Sequence, residues 1–68
     1  MVTEKDRKLG NRIQKLRKKA GLTQEKLAEK VKLSAKFIQF IENGNRIPSL
    51  KTVYKIARTL EVKTQDLF

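Results

Sequence analysis

Apolar residues recur along most of the chain at intervals of three or four positions, with polar and charged residues between them. This spacing is typical of amphipathic helices that bury one side. No stretch alternates apolar and polar residues as a half-buried strand does. The pattern therefore predicts an all-α fold with five helical segments, the last of them a short turn.

Each predicted helix has its own apolar stripe. The stripes comprise Leu9, Ile13, Leu16 and Ala20; Leu27, Ala28 and Val31; Ile38 and Ile41; and Leu50, Val53, Ile56, Ala57 and Leu60. The fifth segment begins at Thr64 and ends in Leu67 and Phe68, which we expect to pack on something. Because no repeat or low-complexity tract interrupts these stripes, residues 1–68 are predicted to form a single small domain.

Residues that start and stop helices lie between the stripes. Side chains that can cap the first free backbone N–H groups precede four of the segments: they are Thr3, Thr23, Ser34 and Ser49. Gly21 and the Asn43–Gly44 pair stand where helices end. The second and third helices are thus short and separated by a tight break, an arrangement that can place one helix in a DNA major groove.

The excess of basic residues predicts an acidic binding partner. The chain has 17 Lys and Arg against 7 Asp and Glu, a formal net charge of +10, which attracts nucleic acid or an anionic membrane. The chain has no Cys and no His, which excludes disulfides, zinc sites of the usual Cys/His kind and His-based catalysis. We therefore expect no enzyme activity, no cofactor and no metal.

The first twenty residues are charged throughout and contain no apolar run. A secretory signal or a membrane span requires such a run. The sequence therefore predicts a cytoplasmic protein without a membrane partner.

A helical wheel of the third helix, residues 34–43, separates a core side from an outward side. With Ile38 and Ile41 on the core side, Lys36, Gln39, Phe40 and Asn43 fall on the other side, and none of these is acidic. Lysine can donate to guanine or phosphate, glutamine can pair with adenine, and an aromatic ring can press on a thymine methyl group. Ala35 lies near the helix start, where it can also touch a methyl group.

These positions have other interpretations. Lys36 and Gln39 also suit an ordinary solvated helix face, and Phe40 suits either a DNA contact or packing against protein. Phe37 lies close to Ile41 on the wheel, so we expect it to fill a gap between helices. Arg17 and Glu42 lie on facing flanks of their helices; we predict a partly buried ion pair, the alternative being that both are exposed.

Three stretches occur in order: LTQEKLAEKV; then S-x-x-x-I-x-x-I-E-N-G; then PSL-x-T-x-x-K-I-A-x-x-L-x-V-x-x-x-x-LF. In this combination residues 9 to 68 resemble the Cro/C1-type helix-turn-helix family of phage repressors and XRE-like regulators. The resemblance implies a compact five-helix, lambda-repressor-like domain whose helices 2 and 3 form the helix-turn-helix. It also implies a sequence-specific transcriptional regulator that binds double-stranded DNA, usually as a dimer.

The resemblance also assigns roles to individual residues. Gln24 would contact a phosphate and brace the recognition helix, and Arg17 and Glu42 stand where related repressors carry a buried pair. Residues expected to face bases and backbone are Ser34, Ala35, Lys36, Gln39 and Phe40, and those expected to line the phosphate wall are Asn43, Asn45 and Arg46. The family usually has glycine in the turn where this chain has Lys32, a position that favours positive φ.

Alternatives to specific DNA binding are a protein-interaction module, such as an antitoxin-like or adaptor domain with secondary DNA binding, and a basic binder of RNA or membranes built on helix 1. We also expect a homodimer through the C-terminal region at Leu67 and Phe68. Tyr54, Leu60 and Val62 are expected to extend that surface.

Overall fold

The structure, a computed structural model, describes residues 3–68. Within that range the chain forms four α-helices and no strand: α1 Glu4–Lys19, α2 Gln24–Val31, α3 Ala35–Glu42 and α4 Leu50–Thr59. The all-helical prediction is confirmed there. The fifth segment, which the pattern predicts as a short turn, is a 3-10 turn, Thr64–Leu67. The five-helix count implied by the resemblance is therefore not confirmed in this range, because a segment of four residues is too short to sustain α-helical hydrogen bonds.

The four helix starts lie at the predicted residues. At each, the hydroxyl oxygen of the capping residue accepts a hydrogen bond from the backbone N–H three residues later; the caps are Thr3, Thr23, Ser34 and Ser49. Thr3 is also held in return, since its own N–H donates to Asp6 Oδ2 over 2.8 Å. These caps satisfy N–H groups that a helix cannot pair internally, so the sequence sets where each helix begins.

The helices enclose one apolar core that draws on all four of them and on the 3-10 turn. Its buried side chains are Leu9, Ile13, Leu27, Ala28, Val31, Ile38, Ile41, Val53, Ile56, Ala57, Leu60 and Leu67. Ala20 and Leu50, which the periodic pattern assigned to buried stripes, are exposed. Ala20 follows the last turn of α1 and Leu50 is the first residue of α4, so each lies beyond the part of its helix that a neighbour covers.

The two C-terminal residues behave differently from each other. The 3-10 turn packs against α4 and α1, and Leu67 is only 1% exposed. The prediction that Leu67 lies at a dimer surface is therefore wrong, because this side chain completes the core of its own chain. Leu60 is buried as well, whereas Phe68 remains 73% exposed.

None of the helices within residues 3–68 has the length and apolar character needed to cross a membrane.

Candidate nucleic-acid interface

The turn between α2 and α3 sets the angle at which α3 leaves the core. Lys32 ends α2 in the left-handed conformation, with φ 59° and ψ 45°. The N–H of Leu33 then donates to the Ala28 carbonyl over 2.8 Å, which closes the turn. The chain thus adopts the positive φ that favours glycine, although left-handed backbone at a residue with a side chain costs roughly 1 kcal/mol. Retaining this geometry delivers Ser34 directly to its capping position at the start of α3.

A buried polar network fixes α3 against α1 and α2. The Arg17 guanidinium donates to both oxygens of the Glu42 carboxylate, from Nε over 2.7 Å and from Nη2 over 3.1 Å. Its Nη1 donates to the Leu22 carbonyl over 2.7 Å. Both residues are buried, Arg17 at 6% exposure and Glu42 at 3%. Because the planar guanidinium donates two hydrogen bonds to one carboxylate, the two side chains adopt a defined relative geometry. The pair therefore fixes where the end of α3 lies relative to α1.

Gln24 joins this network from the start of α2. Its side-chain Nε2 donates to Glu42 Oε1 over 3.0 Å, which gives the bracing contact that the family resemblance implied. The side chain is half-buried, and one hydrogen on Nε2 is enough for the contact with Glu42. The second hydrogen leaves this amide able to donate outward, at the edge where α2 begins next to α3.

The outward side of α3 is polar and free of acidic side chains, because its one acidic residue, Glu42, is buried in the ion pair. Lys36, Gln39 and Asn43 are exposed, as is the capping residue Ser34. Ala35 is half-buried. Phe40 is also half-buried rather than fully exposed, so its ring packs partly against the protein and presents only part of its surface outward.

The segment after α3 is tied to the end of that helix. The N–H groups of Asn45 and Arg46 both donate to the Phe40 carbonyl, over 2.8 and 3.2 Å. The side chains of Asn45 and Arg46 are exposed, and the backbone hydrogen bonds keep both residues at the end of α3. Together with Asn43 they form an exposed polar rim at the C-terminal end of the helix.

Phe37 packs against the core as predicted from its position on the wheel. The Arg46 guanidinium carbon lies 5.9 Å from the centroid of the Phe37 ring, close enough for a cation–π contact worth about 0.5 to 1 kcal/mol at an exposed site. This contact places the Arg46 cation beside the Phe37 ring, after the end of α3. No local pattern indicates this contact, because the two residues are separated by the end of α3 and by a loop.

Gly10 is a buried structural residue of α1 that the apolar pattern of the sequence does not single out. A β-carbon at this position would overlap the carbonyl oxygen of Ile41 and lie 2.8 Å from that of Glu42. Only a residue without a side chain therefore lets the backbone of α1 pack this closely against the end of α3. An isolated glycine inside a helical pattern is the signal that marks such a contact in a sequence.

Comparison with known proteins agrees with this geometry. A family model described as Helix-turn-helix matches residues 13–67. An uncharacterized HTH-type transcriptional regulator of Archaeoglobus fulgidus is 47% identical over 57 residues, covering 84% of this chain and 81% of the relative. The control protein C.MunI of Mycoplasma sp is 39% identical over 62 residues, covering 90% of this chain and 84% of that protein.

Solved structures share the fold. The restriction-modification controller protein C.AhdI from Aeromonas hydrophila is 35% identical and superposes with a TM-score of 0.88, covering 91% of this chain and 94% of that one. The biofilm regulator SinR, solved in complex with DNA, is 30% identical with a TM-score of 0.82, covering 87% of this chain and 95% of that one. With the family model spanning α2, α3 and α4, the chain belongs to the helix-turn-helix family.

Proposed function

We propose that this protein is a sequence-specific transcriptional regulator that inserts α3 into the major groove of double-stranded DNA. The observation that carries the proposal is the exposed, acid-free outward side of a short helix whose orientation is fixed by the buried Arg17–Glu42–Gln24 network. A major groove admits one α-helix and presents its base edges to it. Similarity to regulators, one of them solved with DNA, supports the same function.

Base contacts in this proposal come from the middle of α3. Gln39 pairs with the exposed edge of an adenine, and Lys36 donates to guanine acceptors or to a nearby phosphate. Ala35 and the outward part of the Phe40 ring contact thymine methyl groups. Because Phe40 is half-buried, only part of its side chain is available for such a contact.

Phosphate contacts come from the ends of the helices. Gln24 donates its second amide hydrogen at the start of α2, and the Ser34 hydroxyl lies at the start of α3. Asn43, Asn45 and Arg46 contact the backbone at the other end of α3. Such contacts position the protein on the duplex without reading its sequence.

Arg46 provides a direct test of the phosphate contacts. In a fluorescence anisotropy titration with duplex DNA at several salt concentrations, Arg46→Ala is expected to weaken binding to all sequences alike. The log–log dependence of affinity on salt should become shallower by about 0.9, since one phosphate contact is lost. The matched control is Arg58→Ala, which removes an exposed arginine from the end of α4 and should leave that slope unchanged.

Competition in the same experiment decides between classes of partner. Duplex DNA should displace the labelled duplex, whereas single-stranded RNA and anionic vesicles should not do so at equal phosphate concentration. Equal slopes for the two arginine variants, or equal competition by RNA, would reject the proposed interface.

We also propose a homodimer, but through a surface other than the C-terminal region that the sequence predicted. Three large apolar side chains are exposed next to the loop after α3: Ile47 at 54%, Leu50 at 60% and Tyr54 at 51%. Leu50 and Tyr54 lie one turn apart on α4, so these two form one apolar surface on that helix. A two-fold contact through this surface would bury it and set two α3 helices side by side for a two-fold operator.

Sedimentation at micromolar concentration tests the dimer. The wild-type chain is expected to sediment as a dimer and Leu50→Lys as a monomer with unchanged helical content. Phe68→Lys introduces the same charge at another exposed apolar residue and should remain dimeric. A wild-type chain that stays monomeric both with and without DNA would contradict this part of the proposal.

A further inference from the structure

One side of α1 carries cations that serve neither the core nor the proposed DNA interface. Lys8, Arg12 and Lys15 follow one another at four and three residues, so they share a face of the helix; we call them the α1 basic stripe. They border a surface cavity of about 400 Å³ that is also lined by Leu67 and Phe68. Among residues 3–68, no carboxylate oxygen lies within 4.0 Å of a nitrogen of this stripe.

The stripe faces away from α3. Gly10 and Arg17 mark the side of α1 that lies against α3, through the close approach to the Ile41 carbonyl and through the Glu42 ion pair. At about 100° per residue, the stripe lies roughly opposite that side of the helix. A duplex bound by the outward side of α3 is therefore out of reach of these three cations.

Arg12 is exposed but hydrogen-bonded to the C-terminal part of the chain. Its Nε donates to the carbonyl oxygen of Asp66 over 2.9 Å, which ties the guanidinium to the 3-10 turn. Both terminal nitrogens remain available to donate to one carboxylate. Two parallel hydrogen bonds from one guanidinium are strong, and they also set the orientation of the carboxylate that accepts them. Lys8 and Lys15 flank this fork one turn away on either side.

We propose that the α1 basic stripe is a docking surface for an acidic segment of a partner protein. The three cations match a run of carboxylates, and the exposed ring of Phe68 at the edge of the cavity matches one apolar side chain among them. A second copy of this chain is a poor occupant of the stripe, because a two-fold contact here would set these cations against the same cations of the other copy. The stripe would let the regulator hold a protein and DNA at the same time.

The test uses the whole chain and a fluorescein-labelled peptide of alternating Asp and Glu with one central Phe. Anisotropy is measured for the wild type, for the double variant Lys8→Gln/Lys15→Gln, and for the control Lys30→Gln/Lys55→Gln, which removes the same charge elsewhere on the surface. The stripe variant is expected to bind the peptide about tenfold more weakly than the control does. Duplex binding should be the same for both variants, and circular dichroism checks that both are folded.

A second arm adds the peptide to protein already saturated with a short duplex. The peptide is expected to bind without displacing the duplex, since the two surfaces are on opposite sides of α1. Equal peptide affinity for the two double variants, displacement of the duplex, or tighter binding of anionic vesicles than of the peptide would each overturn the proposal. A failure of the duplex to bind the wild type would instead contradict the proposed DNA function. The peptide affinities of the two double variants would still decide the docking proposal.

Discussion

Glu42→Ala is expected to lower the free energy of unfolding by about 3 to 5 kcal/mol, because it leaves the buried Arg17 guanidinium without its carboxylate. It also removes the acceptor of the Gln24 amide. A chain of 68 residues has a total stability of roughly 3 to 10 kcal/mol. This single substitution can therefore unfold a large fraction of the molecules at room temperature.

Urea denaturation followed by circular dichroism measures this loss. Glu29→Ala removes an exposed carboxylate from α2 and is the control, with an expected change within about 0.5 kcal/mol. The double variant Arg17→Met/Glu42→Leu should regain most of the stability, since it removes both buried charges together. If Glu42→Ala were as stable as Glu29→Ala, the network would not hold α3 in place.

Gly10→Ala is expected to destabilise the protein by about 2 kcal/mol or more, because the new methyl group would overlap the carbonyl oxygens of Ile41 and Glu42. The sign is informative. In a helix interior alanine is favoured over glycine by about 1 kcal/mol, so helix propensity alone predicts the opposite change. The substitution would force α1 away from the end of α3 and loosen the Arg17–Glu42 pair.

Thermal unfolding of Gly10→Ala beside Asn11→Ala measures this effect. Asn11 is the next residue on α1 and is exposed, so its replacement should be neutral or stabilise the helix by about 0.5 kcal/mol. A Gly10→Ala protein at least as stable as the wild type would show that the two helices do not approach as closely as described.

Much of the fold follows from local signals in the sequence. The caps at Thr23 and Ser34 act on neighbouring N–H groups, so the residues beside them are sufficient to predict the helix starts. Helical periodicity likewise separates the buried Ile38 and Ile41 from the exposed Lys36 and Gln39. These predictions succeed because they depend on contacts within one helix.

The predictions that failed concern burial and close contacts, which depend on which segment of the folded chain covers a given residue. Periodicity indicates that Leu50 and Leu67 are apolar positions, but only the packing of α4 and the 3-10 turn decides that the first is exposed and the second buried. The same is true of Gly10, whose role comes from an α3 carbonyl far away in the sequence. The turn after α3 also brings Arg46 over Phe37, which helical periodicity does not indicate.

Lys32 shows how tertiary structure overrides local preference. Lysine does not favour positive φ, yet the residue keeps the left-handed conformation at the end of α2. The burial of Val31 before it and Ile38 after it requires the chain to turn sharply at this point. The energy of packing both helices is larger than the roughly 1 kcal/mol cost of the turn.

Selection of bound sequences from a random duplex pool tests most directly whether α3 reads bases. The wild type, Gln39→Ala and Gln65→Ala are compared, where Gln65 is an exposed glutamine in the 3-10 turn. We expect Gln39→Ala to lose the preference at one defined base-pair position of each half-site, with a discrimination of about 1 to 3 kcal/mol, and Gln65→Ala to select the wild-type sequence. Identical selected sequences for all three proteins, or no selection by the wild type, would contradict the insertion of α3 into the major groove.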